Sequence, residues 1–225
     1  MEARDFKNFA YGHFTKISKA FASPRRFELL DYLLQGPKTV ERLASETHMS
    51  VANTSQHLQA LRDARLVVSY KVKNHHHYEL ADQEVAELLQ ITKRLAERRF
   101  PDVADVRAME TTGDGSVPVM SAKEALEAVR GGHAVLIDVR AQDEFDSRHL
   151  PGALSIPLAE LEAHIPELAR DKKVIAYCRG AYCLYASDAV RLLYRQGFDA
   201  YRLDESPADF ANSRDLVPDD RKDAR

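Results

Sequence analysis

The sequence predicts two small domains of different class. The first is mainly α with one β-hairpin; the second is α/β, a parallel sheet with helices on both faces. Three observations predict this. The chain has 225 residues, enough for two domains of about 100 residues each. Residues 5–99 run as successive helical periods broken by one pair of short strands, whereas strands and helices alternate beyond residue 121. Between them, FPDVADVRAMETTGDGSVPVM (100–120) loses periodicity and gathers Pro, Gly, Asp and Ser, which reads as a linker. The expected division is therefore 1–99, a linker at 100–120, 121–212, and a charged, disordered tail at 213–225.

Composition narrows the function classes. No stretch approaches the roughly 18 consecutive apolar residues of a membrane helix. The opening MEARDFKNFAYGHF is too acidic and polar for a secretory signal. The chain has two cysteines, Cys178 and Cys183, separated by one short loop. Such a pair is a poor structural staple, so it points to a reducing, cytoplasmic setting and a reactive role. Net charge is -3, but residues 1–99 carry 16 Lys and Arg against 12 Asp and Glu, while residues 100–225 carry 16 against 23. The basic half is the one suited to a polyanion.

In the first half, Asp5–Ala22 places Phe6, Phe9, Phe14, Ile17 and Phe21 at mostly helical spacing. Ser23-Pro24 is an N-cap followed by proline at the first helical position. Gly36-Pro37 ends that helix, which carries Phe27, Leu30, Leu33 and Leu34. Thr39 caps a short helix, Val40–Thr47. The turn His48-Met49-Ser50 leads into a second helix, Val51 to Ala64, with Ser50 as cap. Leu66–Tyr70 and His77–Leu80 are short strands around a polar tip, Lys71–His75. Asp82–Arg99 then resumes helical period with Val85, Leu88, Leu89, Thr92 and Leu95 on one face. A short helix, a turn, a second helix and a hairpin form a winged helix-turn-helix, whose second helix enters the major groove by its N-terminal end. Ser50, Asn53, Thr54, Gln56 and His57 supply hydrogen-bonding groups there, and Arg62, Lys71 and Lys73 supply charge for phosphates.

SPRRFELLDYLL, SVANTSQHLQALRDARLV and the wing ending in HHHYEL together resemble the ArsR family of winged-helix repressors over about residues 5–98. The resemblance implies a homodimer held by the first and last helices, bound to a double-stranded palindromic DNA operator. The sequence departs from metal-sensing members. This half has no cysteine and no Asp/His/Glu cluster near 40–44 or 82–92, so the sensing group is expected elsewhere. His75-His76-His77 reads as a wing tip near phosphate rather than a metal site, because neighbours on a strand point to opposite faces. No metal or other cofactor is called for.

In the second half, Ser121–Glu124 is a capping box opening a helix that stops at Gly131-Gly132. Strands follow at Val135–Val139 and Leu154–Ile156, then a helix near Ala159–Ala169, a buried strand Lys173–Tyr177, a helix Leu184–Gln196 and a last strand Ala200–Leu203. The loop between the last strand–helix pair, CRGAYC, delivers a thiol to the positive end of a helix. Backbone N–H groups there favour a sulfur anion.

Asp138-Val139-Arg140, Glu144-Phe145, Arg148-His149-Leu150-Pro151-Gly152-Ala153, Ile156-Pro157, CRGAYC and Gly197-Phe198 together resemble the rhodanese family over about residues 119–212. The resemblance implies that Cys178 accepts a sulfane sulfur as a persulfide from a small donor such as thiosulfate or polysulfide, so the chain is a possible sulfurtransferase. Backbone N–H groups of Arg179, Gly180, Ala181, Tyr182 and Leu184 would hold the persulfide, with the Arg179 guanidinium meeting an anionic donor and Asp138 and Arg140 in support. Related phosphatases and arsenate reductases use Cys-x5-Arg; here that position is Leu184, so the loop suits one sulfur atom rather than a tetrahedral oxyanion. Leu203-Asp204-Glu205-Ser206 departs from the glycine pair many members carry. Cys183 reads in three ways: a packing residue, a resolving thiol, or with Cys178 a holder of a thiophilic ion such as arsenite. Three functions are therefore open: a sulfur-responsive repressor, a sulfurtransferase whose helical half only dimerises or localises it, and a metalloid sensor.

Overall fold

The computed structural model describes residues 2–112 and 117–212. The chain divides into two compact units, Met1–Leu95 and Ala96–Arg225. The tail from 213 onward, expected to be disordered, lies outside the described residues. None of the described helices is long and apolar enough to cross a membrane.

The first unit contains α1 (Ala3–Phe21), α2 (Pro24–Leu33), β1 (Lys38–Thr39), α3 (Val40–Glu46), α4 (Val51–Asp63), β2 (Val67–Val72), β3 (His75–Leu80) and the start of α5 (Gln83–Arg99). The caps fall where the sequence sets them. Ser23 accepts from Arg26 N, Thr39 from Arg42 N at 3.2 Å and Ser50 from Asn53 N at 3.2 Å. Each satisfies an N–H group that the first helical turn leaves without a partner. Leu29, Leu30 and Leu33 of α2 meet Leu43, Leu58, Leu61, Leu66, Val85 and Leu89 in one core. The wing is an antiparallel sheet of order β1-β3-β2, with Lys73 at φ 53° in its tip. Tyr70 lies opposite His77, and their rings stack at 5.8 Å. His77 thus turns to its cross-strand partner while His76 takes the other face, and the histidine run does not converge.

The second unit opens with a correction. Residues 101–112, read as aperiodic linker, form a helix, α6 (Pro101–Thr112), with proline in its first turn. Its apolar residues are spread around the axis, so no periodic stripe announces it; residues 113–116 lie outside the described residues. Then come β4 (Val119–Met120), α7 (Ala122–Arg130), β5 (Ala134–Asp138), α8 (Gln142–Ser147), β6 (Leu154–Ser155), α9 (Leu161–His164) between two 3-10 turns, β7 (Lys173–Tyr177), α10 (Tyr185–Arg195), β8 (Ala200–Leu203) and α11 (Pro207–Asn212). The expected helix at 159–169 is thus broken, with Pro166 inside its second 3-10 turn. The capping box of Ser121 and Glu124 is complete.

Five parallel strands stand in the order β4-β8-β7-β5-β6. From β5 the chain goes to β6 on one side and returns to β7 on the other, so the carboxyl ends of β5 and β7 frame a switch-point crevice. Strand alternation divides the core. Ile137, Val174, Ala176 and Cys178 pack with α10, while Leu136, Ile175 and Tyr177 pack on the opposite face. Asp138 and Arg140 close the end of β5. Both are buried, with Arg140 Nη2 to Asp138 Oδ2 at 2.6 Å, Nε to Oδ1 at 2.9 Å, and Nη2 donating to the Arg148 carbonyl at 2.7 Å.

Asp138→Ala would leave the Arg140 guanidinium buried beside no carboxylate at that position. The second unit should lose about 3–5 kcal/mol of stability. Peptide-resolved hydrogen exchange should show faster exchange in β5 and β7 and unchanged protection in α2 and α4.

Candidate functional site

Cys178 follows directly on β7 and is 1% exposed, whereas Cys183 is only partly buried; both are free thiols. The loop between them turns on Gly180, whose φ of +108° is a conformation that residues with a Cβ rarely adopt. Cys183 N donates to the Gly180 carbonyl at 3.1 Å, closing the turn. That N–H is therefore not available to a ligand.

Helix α10 begins immediately afterwards, and its N-cap residue Leu184 offers no side-chain cap. The two sulfurs take that place. Cys183 Sγ accepts from Cys178 and from the backbone N–H groups of Arg179 and Tyr185, and Cys178 Sγ from that of Ala186. The cradle therefore draws on Arg179 from the loop but extends one turn into α10, beyond the Arg179–Leu184 span the sequence suggests. Cys178 also donates to the Cys183 carbonyl at 3.3 Å.

These contacts split the pair. The Cys178 hydrogen bond is the largest influence on Cys183; with the Arg179 and Tyr185 N–H groups and the Arg179 charge, it holds that thiol down to about 6 against burial. Burial, and then the Cys183 sulfur beside it, push Cys178 well above the usual thiol range. The two thiols titrate as one coupled pair, in which burial favours the proton on Cys178 and the N–H groups of Arg179 and Tyr185 favour the charge on Cys183.

The arginines around the loop are already engaged. Arg179 grips buried Glu144 in two bonds, 2.8 and 2.7 Å. Its charge still acts on Cys183 through space. Arg202, fully buried in β8, donates to Ser187 Oγ at 2.5 Å and to the Ala181 carbonyl at 2.9 Å, and pairs with Asp204 at 2.6 Å. Arg202 thereby ties the loop to β8 and α10, a role sequence reading missed. A charged residue inside a buried strand is the signal that marks it. Asp204 stands in the stretch that departs from the usual glycine pair, and it also takes Arg107 at 3.3 Å. Tyr182 is exposed, and its hydroxyl donates to Glu97 at 2.8 Å.

In the first unit, Asn53, Gln56, Arg62, Lys71 and Lys73 are exposed and His57 is half-buried, and Ser50 is exposed while capping α4. Thr54 is the correction. It is fully buried and its hydroxyl donates to the Ser50 carbonyl at 3.0 Å, so it packs the helix pair instead of facing outward. Arg62 bonds Gln59 at 2.7 Å along the same helix.

Comparison with known proteins agrees with both halves. Residues 23–69 match the bacterial regulatory protein arsR family, and residues 121–213 the rhodanese-like domain family. The chain is 38% identical over 190 residues to the HTH-type transcriptional regulator Rv0324 of Mycobacterium tuberculosis, spanning 84% of this chain and 83% of that protein. It is 31% identical over 81 residues to the thiosulfate sulfurtransferase GlpE of Coxiella burnetii, covering 36% of this chain and 74% of that one. Among solved structures, the homodimeric winged helix-turn-helix fragment Mb0332 of Mycobacterium bovis is 30% identical, with a TM-score of 0.42 over 44% of this chain and 91% of that chain.

Alkylation by iodoacetamide should report the split directly. Only thiolate reacts, so alkylation of the coupled pair should rise with pH, and Cys183, the lowered and more exposed thiol, should be modified at lower pH than buried Cys178. Arg179→Ala removes the cation that favours the thiolate, so the rise should move to higher pH. Peptide mass spectrometry of samples quenched across the pH series reads both.

Proposed function

The chain belongs to the ArsR-type transcriptional regulators that carry a C-terminal rhodanese-like domain, and from that membership we propose that it is a sulfur-responsive repressor. The observation that carries the reading is a pair of free thiols in one loop at the N-terminus of α10, in a chain that also has a winged helix-turn-helix.

In this reading Cys178 is the acceptor and Cys183 first its base and then its resolving thiol. Cys178 sulfur attacks the sulfane sulfur of a donor R–S–SH as its proton passes to the adjacent Cys183 thiolate. The donor S–S bond breaks, R–S⁻ leaves, and Cys178 carries the persulfide. Cys183, once deprotonated, attacks the inner sulfur of that persulfide, forming the Cys178–Cys183 disulfide and releasing hydrosulfide. The two thiols are oxidised by two electrons, and the transferred sulfur is reduced to sulfide. Either product removes the thiolate that accepts the N–H groups of Arg179 and Tyr185, which changes the loop and the first turn of α10. That change is the signal.

The first unit supplies the output. Asn53, Gln56 and His57 read base edges of an operator while Arg62, Lys71 and Lys73 meet phosphates. Phe6, Phe9 and Phe14 of α1, with Ile91 and Leu95 of α5, are exposed aromatic and aliphatic side chains along two helices. Such faces form the interface of a homodimer, which a palindromic site requires.

Titration of the protein onto its own promoter should show affinity falling steeply with salt, as phosphate contacts release counterions. Gln56→Ala and His57→Ala should each cost about 1–3 kcal/mol of specific binding. Loss of salt dependence, or equal affinity for unrelated DNA, would remove the repressor reading.

Intact-mass analysis after exposure to a sulfane-sulfur donor should find no adduct on Cys178→Ser and a stable persulfide on Cys183→Ala. Wild type should proceed to the disulfide and change its operator affinity. A full sulfur adduct on Cys178→Ser would transfer the acceptor role to Cys183. Switching by Cys183→Ala as complete as in wild type would make the persulfide itself the signal.

A further inference from the structure

Beside the cysteine loop, wholly within the second unit, lies a hollow of about 450 Å³. Its apolar lining comes from Val103 and Val106 of α6 and from Tyr182 and Leu184, the two residues that flank Cys183 in the chain. Asp102 and Glu110 of α6 also line it. Arg107, the cation among the lining residues, is drawn onto Asp204 at 3.3 Å and Glu97 at 3.4 Å. The hollow falls within the range of small-molecule pockets.

The charges here oppose a small dianion. Arg179 is committed to Glu144 and Arg202 to Asp204. A second negative charge would approach two carboxylates on α6 while each of these guanidinium groups is already paired with a carboxylate. An uncharged organic group meets none of that repulsion and covers Val106 and Leu184, which are 58% and 40% exposed.

We propose that this hollow is the donor-binding site of the cysteine pair, and that it takes a hydropersulfide bearing an uncharged apolar substituent in preference to thiosulfate. The proposal rests on the sulfur-acceptor reading above and names its substrate class. The organic group lies against Val103, Val106, Tyr182 and Leu184, and the terminal sulfur points into the loop. Transfer is the step already described: the new S–S bond forms to a protein sulfur, the donor S–S bond breaks, and the departing R–S⁻ takes up a proton to leave as a neutral thiol. No external oxidant or reductant enters.

The test compares loading rates on the full chain by quenched intact-mass analysis, with benzyl hydropersulfide, glutathione hydropersulfide, inorganic polysulfide and thiosulfate as donors. Benzyl hydropersulfide should load faster than the charged glutathione analogue by about tenfold or more, the scale of discrimination by an apolar pocket, and thiosulfate should be slowest. Val106→Asp should bring the benzyl-to-glutathione ratio down toward one, and Val103→Asp should act in the same direction. Because that ratio is internal to one preparation, partial misfolding does not mimic its loss. Equal benzyl and glutathione rates, thiosulfate loading as fast as the benzyl donor, or a ratio untouched in both variants would overturn the inference while leaving sulfur acceptance standing. Failure of every donor to load would overturn both.

Discussion

The structure of the reactive half depends on how the N-terminus of α10 is satisfied. A helix starts with four N–H groups that have no partner inside it, and most helices meet one of them with a Ser, Thr, Asp or Asn side chain. Here the N-cap residue is Leu184, and the first-turn groups of Tyr185 and Ala186 turn to sulfur. That choice fixes the rest. It requires the tight turn at Gly180, it draws Cys183 back over Cys178, and it makes the helix terminus a place where negative charge is favoured. A hydroxyl cap would satisfy the backbone equally well, whereas a sulfur cap is open to the chemistry proposed above.

The ring of arginines follows from the same constraint. Positive charge nearby adds to hydrogen bonding in favouring an anionic sulfur, but a bare guanidinium beside it would attract any passing anion. Pairing Arg179 with buried Glu144 and Arg202 with Asp204 keeps each side chain in place while reducing its net charge. The backbone N–H groups of Arg179 and Tyr185, which carry no net charge, add to the Cys178 hydrogen bond in favouring the thiolate on Cys183. Arg202 adds a mechanical link, because one guanidinium holds both the Ala181 carbonyl and Ser187 of α10.

What the sequence made legible was what local chemistry determines. Ser23, Thr39, Ser50 and the Ser121–Glu124 box cap helices because their spacing to the first turn is a property of the chain alone. The wing and the alternation of strands and helices are legible for the same reason. The features that escaped reading depend on partners far away in sequence. Thr54 is polar like its exposed neighbours Asn53 and Gln56, and only the packing of α4 in the folded unit decides that it is buried. Glu144 lies 35 residues from Arg179, and Arg202 lies 21 from the carbonyl it holds. α6 carries Val103, Val106 and Met109 without an amphipathic stripe, so neither its helical state nor its place beside the loop was written in its period.

The distribution of cysteine sets the direction of any signal. Both thiols of the chain lie in one loop of the second unit, and the helix pair that would read DNA has none. In the proposed function the chemistry starts in a different unit of the chain from the recognition helix, and regulation requires that modification of the pair alter the free energy of DNA binding, typically by about 1–3 kcal/mol between coupled sites. In that proposal the loop is suited to be the origin of such a change, because modification of either sulfur alters the group that the first-turn N–H groups of α10 meet. Reciprocity then constrains the system further. If persulfide or disulfide weakens operator binding by a given factor, bound operator must disfavour that modification by the same factor, so protein on DNA would be the harder form to oxidise at equilibrium.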